Sequence, residues 1–134
     1  MQYAHGTTIA VTDGQHLRLF RNTGNEQHLQ LIELPKPDVH AHSHGATRAH
    51  RNHAANPSER QLEEESFASS VAVWLNAQVL GGQIGQLFIV APARTLGDLR
   101  PHYHQKLRDV LLGELGKEHT HDTIEFLHEA LVRA

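Results

Sequence analysis

An α/β fold with a mixed sheet is predicted by three observations. Three short strand-like segments occupy the first 34 residues, one amphipathic helix runs from Glu59 to the Gly81-Gly82 pair, and a continuous apolar run extends from Gln86 to Ala91. Strands separated by tight turns pair antiparallel, whereas an apolar strand that follows a helix is of the kind buried on both faces and reached by a crossover. The 134 residues suffice for one such domain, and the whole span 1–134 is assigned to it.

Thr7-Thr8-Ile9-Ala10-Val11-Thr12 is short and β-branched, and Asp13-Gly14 behind it is a turn signal, so a strand is expected near 7–12. In His16-Leu17-Arg18-Leu19-Phe20-Arg21 the two leucines share one face and Arg18 takes the other, before Asn22-Thr23-Gly24-Asn25 breaks the chain again. A third strand is expected near 28–34, ending where Pro35 and Pro37 offer no amide donor to a ladder. Between residues 36 and 58 no periodicity survives and Val39 is the one aliphatic larger than alanine, so a long exposed His-rich loop is expected.

Ser58 stands where a helix cap belongs, and Leu62, Phe67, Val71, Trp74, Leu75 and Val79 form the apolar stripe behind it. The run 86–91 closes at Pro92. From Thr95 onward, Leu96, Leu99, Tyr103, Leu107, Leu111, Leu112 and Leu115 fit a helical stripe interrupted by Pro101, and periodicity alone predicts helix throughout. A final helix is expected from a capping Asp122, with Ile124, Leu127 and Leu131 spaced helically. The expected core contains Leu17, Leu19, Leu31, Trp74, Leu75, Phe88, Val90 and Leu127.

Composition removes several classes of function. Without cysteine there are no disulfides, thiolate metal sites or cysteine nucleophiles. No stretch approaches the ~20 apolar residues of a membrane span, and the first residues lack the basic start and apolar run of a signal peptide, so a cytoplasmic protein with no membrane insertion is expected. The thirteen histidines are the anomaly: protonating all of them would carry the formal charge from −3 to +10, while near neutrality there is no strong basic field.

The order of three strands, polar loop, acidic-start helix and buried strand resembles the bacterial host-attachment proteins, a family named for a requirement in attachment to host cells. The resemblance is carried by Val11-Thr12-Asp13-Gly14 with Arg18-Leu19-Phe20, by Glu63-Glu64-Glu65-Ser66-Phe67-Ala68, by Leu87-Phe88-Ile89-Val90-Ala91-Pro92, by Arg94-Thr95-Leu96-Gly97-Asp98-Leu99-Arg100, and by Glu114-Leu115-Gly116-Lys117-Glu118-His119-Thr120-His121. Members of that family look like the central domain of archaeal and eukaryotic class-one peptide-chain release factors, a mixed sheet of ribonuclease H-like type. The resemblance therefore implies five strands, three antiparallel and then two parallel, with a strand and not a helix at 110–115. Gly113 and Gly116 agree with that, since glycine weakens a helix. It also implies, by analogy, contact with ribosomes or RNA.

Four motifs bear on chemistry. Gly81-Gly82-Gln83 matches the tripeptide with which release factors promote peptidyl-tRNA hydrolysis, but it sits where a helix needs a glycine cap. Asp13 ends the first strand, where ribonuclease H-like nucleases hold a metal; no partner carboxylate follows the fourth strand, so a turn role is expected. None of the serines lies in a Gly-x-Ser-x-Gly elbow. His40, His42, His44, His50 and His53 form the candidate metal site for Zn or Ni, beside two further His-x-His pairs at 102/104 and 119/121. Arg48, Arg51 and Arg60 are the candidate phosphate contacts, with little aromatic interleaving around them.

These features point to a non-catalytic interaction domain that touches ribosome or RNA and requires no cofactor. Two readings stand beside it: a transition-metal-binding protein working through the His-rich loop, and a hydrolase of ester or phosphodiester bonds in which Gln83 or Asp13 would matter.

Overall fold

In the computed structural model, residues 1–39 and 58–134 are described. Five strands form one mixed sheet in the order β3-β2-β1-β4-β5, with β1 Thr8–Thr12, β2 Leu17–Asn22, β3 Leu31–Glu33, β4 Leu87–Val90 and β5 Leu111–Leu115. The first three pair antiparallel, with Ile9 opposite Phe20 and Arg21 opposite Ile32. Strand β4 lies parallel to β1, and β5 parallel to β4. The helices are α1 Glu59–Leu80, α2 Ala93–Leu99, α3 Gln105–Val110 and α4 Ile124–Arg133, with a 3-10 turn at Arg100–His102.

Strand alternation builds a core on each face of the sheet. Ala10, Leu17, Leu19, Leu87 and Ile89 point toward Val71 and Leu75 of α1, Leu96 and Leu99 of α2 and Leu107 of α3. Ile9, Val11, Phe20, Phe88 and Val90 point the other way, onto Leu127 and Leu131 of α4. Tyr3 completes this second layer, packing edge-on against Phe88 at 5.2 Å and donating its hydroxyl to Leu131 O at 2.8 Å. Burial pushes the Tyr3 phenol up to about 12.

Capping follows local chemistry. The Ser58 hydroxyl accepts from Gln61 N while the Gln61 side chain accepts from Ser58 N, a reciprocal box that starts α1. At the other end Gly81 N donates to Ala77 O, and Gly82 takes φ +81°, a conformation that favours glycine.

Four details differ from the sequence-based expectation. Strand β3 is three residues long, because the side chains of Asn22 and Asn25 capture the amides of Gln30 and His28 in a wide turn. Leu31 and Trp74 are only half-buried, the first on a short edge strand and the second at the flank of α1. Helix α4 is capped by Thr123, whose hydroxyl accepts from Phe126 N; Asp122 instead engages His119. Periodicity alone predicted helix through Leu115, whereas the helical stretch ends at Val110 and β5 Leu111–Leu115 follows, as the family resemblance implied for 110–115.

Candidate functional site

Because β1, β4 and β5 are parallel, their carboxyl ends meet at one edge of the sheet, the position where α/β sheets commonly bind ligands. A cleft of about 320 Å³ opens there, lined by Asp13, Arg60, Glu64, Arg94, Glu118 and His121, together with Gly14, Gln15, Pro92 and Thr95. Each segment reaches it for a local reason. The loop after β1 is locked by Asp13 Oδ1, which accepts the amides of Gln15 and His16, each at 2.7 Å. The Thr12 hydroxyl adds a bond to His16 O at 2.7 Å. Gly14 lets the turn lie close against α1, since a Cβ at this position would collide with the Glu64 side chain and force it to shift.

The connection between β5 and α4 is pinned by Arg18. Its Nη1 donates to Thr120 O at 3.0 Å and to Asp122 O at 2.7 Å, on either side of His121. Nε and Nη2 of the same guanidinium meet the two carboxylate oxygens of Glu33 at 3.0 and 2.8 Å, and its carbon lies 4.9 Å from the centre of the Phe20 ring. The hydrogen bond to Arg18 holds the Glu33 carboxyl below its ordinary range, and the same bond raises the Arg18 guanidinium. His119 Nδ1 lies 2.6 Å from Asp122 Oδ2, and Glu118 accepts the Thr120 amide.

These constraints bring together Asp13, His16 and His121, the one group among the described residues in which three potential metal-ligand atoms lie within 4.8 Å of one another. His16 Nδ1 is 3.5 Å from Asp13 Oδ1, and His121 Nε2 is 3.8 Å from Asp13 Oδ2. The two imidazoles meet edge-to-face at 5.2 Å. His16 Nδ1 is a buried atom with no hydrogen-bond partner.

Of the residues nominated from sequence, His40, His42, His44, His50, His53, Arg48 and Arg51 lie outside the described residues. Arg60 is exposed on the first turn of α1, lies 3.7 Å from Glu64 and lines the cleft. Asp13 is the turn residue expected, and no second carboxylate belongs to the group it forms with His16 and His121 among the described residues. Gln83 follows the α1 cap at the amino end of β4, on the sheet edge opposite the cleft, and its amide is tied to Gln78 O. The pair 102/104 has structural duties: His104 Nδ1 accepts from Lys106 N to start α3, and His102 O accepts from Asn76 Nδ2. In the pair 119/121 the rings part company, His119 engaging Asp122 and His121 facing Asp13. Sequence reasoning missed His16 altogether; its only signal was a polar residue at the foot of a hairpin.

Among the described residues no helix is long and apolar enough to cross a membrane. No curated protein matches the chain. The model of bacterial archaeo-eukaryotic release factor family 12 matches residues 6–131, and the fold and the near-complete match together make this chain a member of that release-factor-related family.

Proposed function

We propose that this chain is a non-catalytic interaction domain of the translation apparatus, contacting ribosomal RNA through the cleft at the carboxyl ends of β1, β4 and β5. The observation that carries this reading is the release-factor family match over residues 6–131. The cleft offers the contact surface. Arg60 and Arg94 both line it and both are exposed, and Arg94 makes no ion pair among the described residues. Guanidinium groups suit phosphate oxygens through their planar pairs of donors.

Two features favour binding over hydrolysis. The Gly81-Gly82-Gln83 tripeptide is spent on ending α1, away from the cleft, and Asp13 has one oxygen committed to its own turn. A role in attachment to host cells, implied by the family resemblance, would on this reading act through translation and not through adhesion.

The test is co-sedimentation of the purified chain with bacterial ribosomes across a salt series. Saturable binding is expected, weakened in the Arg60→Gln/Arg94→Gln chain, with the salt slope reduced by about 2 for two lost phosphate contacts. Absence of binding at low salt, or an unchanged slope in the double variant, would refute the reading.

A further inference from the structure

We infer that Asp13, His16 and His121 form a binding site for a divalent transition metal ion, with zinc the best fit, at the carboxyl end of β1. This site is distinct from the His-rich segment and does not depend on whether the domain binds RNA. Its donors are two imidazole nitrogens and one carboxylate, a set suited to zinc, with coordination positions left over for water or an anionic oxygen.

The spacing agrees with the chemistry. Donor atoms around a tetrahedral ion with bonds of about 2.0–2.1 Å stand roughly 3.3 Å apart. His16 Nδ1 is 3.5 Å from Asp13 Oδ1 and His121 Nε2 is 3.8 Å from Asp13 Oδ2, both too long for hydrogen bonds of normal strength, and one donor atom from each residue lies within 4.8 Å of the other two, so a contraction of the group completes a ligand set. The movement falls on His121, whose side chain is 71% exposed and free to swing.

The surroundings give the site what a metal needs. His16 Nδ1, buried and without a hydrogen-bond partner, is a nitrogen that a metal would satisfy. The amides of Gln15 and His16 fix the Asp13 carboxylate in orientation, as outer partners do in metal sites. Arg18 holds the backbone on both sides of His121. Three carboxylates, Asp13, Glu64 and Glu118, share the cleft with the two guanidinium groups, and Glu64 is paired with Arg60 at 3.7 Å. Because Asp13 and His121 both line the cleft, the remaining coordination positions open into it.

The test uses the whole 134-residue chain with His40, His42, His44, His50 and His53 changed to Asn, so that these five histidines do not compete. Cobalt(II) is added to one equivalent while amide spectra are recorded, and zinc affinity is measured by competition with a chelating dye. Signals of residues 13–16 and 119–122 should broaden first. His121→Asn and Asp13→Asn should each weaken zinc by at least about tenfold. Asn at 13 retains an oxygen for the two turn amides, and His121 is exposed, so both variants should keep the native spectrum. Should the five-Asn chain fail to fold, the broadening is read on the unmodified chain, where the same two segments must respond. Broadening confined to other regions, or zinc affinity unchanged in both variants, would overturn the assignment.

Discussion

Replacing Arg18 with alanine should cost about 3 kcal/mol and loosen the site from the side of β2. The guanidinium makes two kinds of contact. Its pair with Glu33, whose side chain is 45% exposed, is screened by water and contributes at most about 1 kcal/mol. The two bonds to Thr120 O and Asp122 O are made by a charged donor from a side chain 24% exposed, and together they contribute about 2 kcal/mol after allowance for that exposure. The stack on Phe20 adds about 0.5 kcal/mol. In a domain of this size the sum lowers the melting temperature by roughly 10 °C. Urea titration should show a lower midpoint with an unchanged slope, and hydrogen exchange should speed up at residues 119–122. Glu33→Ala should cost under about 1 kcal/mol. Arg18→Lys should recover less than half of the loss, because one ammonium cannot span both carbonyls and the carboxylate. If Arg18→Ala lies within about 0.5 kcal/mol of the native chain, or Glu33→Ala costs as much, the clamp is not what fixes this connection.

Three further outcomes follow from the packing. Tyr3 keeps its proton to about pH 12 when folded and releases it near pH 10 when unfolded, so stability should fall as pH rises between these values, by about 2–3 kcal/mol in total. Tyr3→Phe should flatten that fall in alkaline urea titrations; buried Tyr103, raised in the same direction by burial and then by Glu114, should leave a residue of it. Gly82→Ala has open space for its methyl group yet must hold φ +81°, so it should lower stability by about 1 kcal/mol in thermal melts through backbone strain alone. Leu75→Ala empties a fully buried position between α1 and the sheet and should cost about 2–5 kcal/mol in urea.

Much of the sheet was legible because its residues obey one rule at a time. Ile9 and Val11 face α4 while Ala10 faces α1, as alternation demands, and Leu17 and Leu19 part from Arg18 in the same way. The reach of β3 was not legible, since the asparagine side chains that capture amides at 28 and 30 act through space and leave no periodic trace. The start of β5 was hidden by Leu107 and Leu111, which continue one helical stripe across a real helix end. Gly113 marks the strand for a reason that only packing reveals: a Cβ there would sit 3.2 Å from the Phe88 ring. The cap of α4 moved from Asp122 to Thr123 because His119 claims the aspartate. Asp13 and its turn were read correctly from Asp-Gly, but its partners His16 and His121 are joined only by the topology: the hairpin supplies one and the β5–α4 connection, at the other end of the chain, supplies the other.

On the proposed reading, the cleft at the carboxyl ends of the parallel strands is the face that meets RNA. It is tested most directly by placing a photo-crosslinking residue at position 94, in the cleft, or at position 126, the exposed aromatic of α4, and irradiating each chain with bacterial ribosomes. Crosslinks to ribosomal RNA from position 94, and none from position 126, are predicted. Crosslinks from position 126 alone, or equal yields from both, would contradict it.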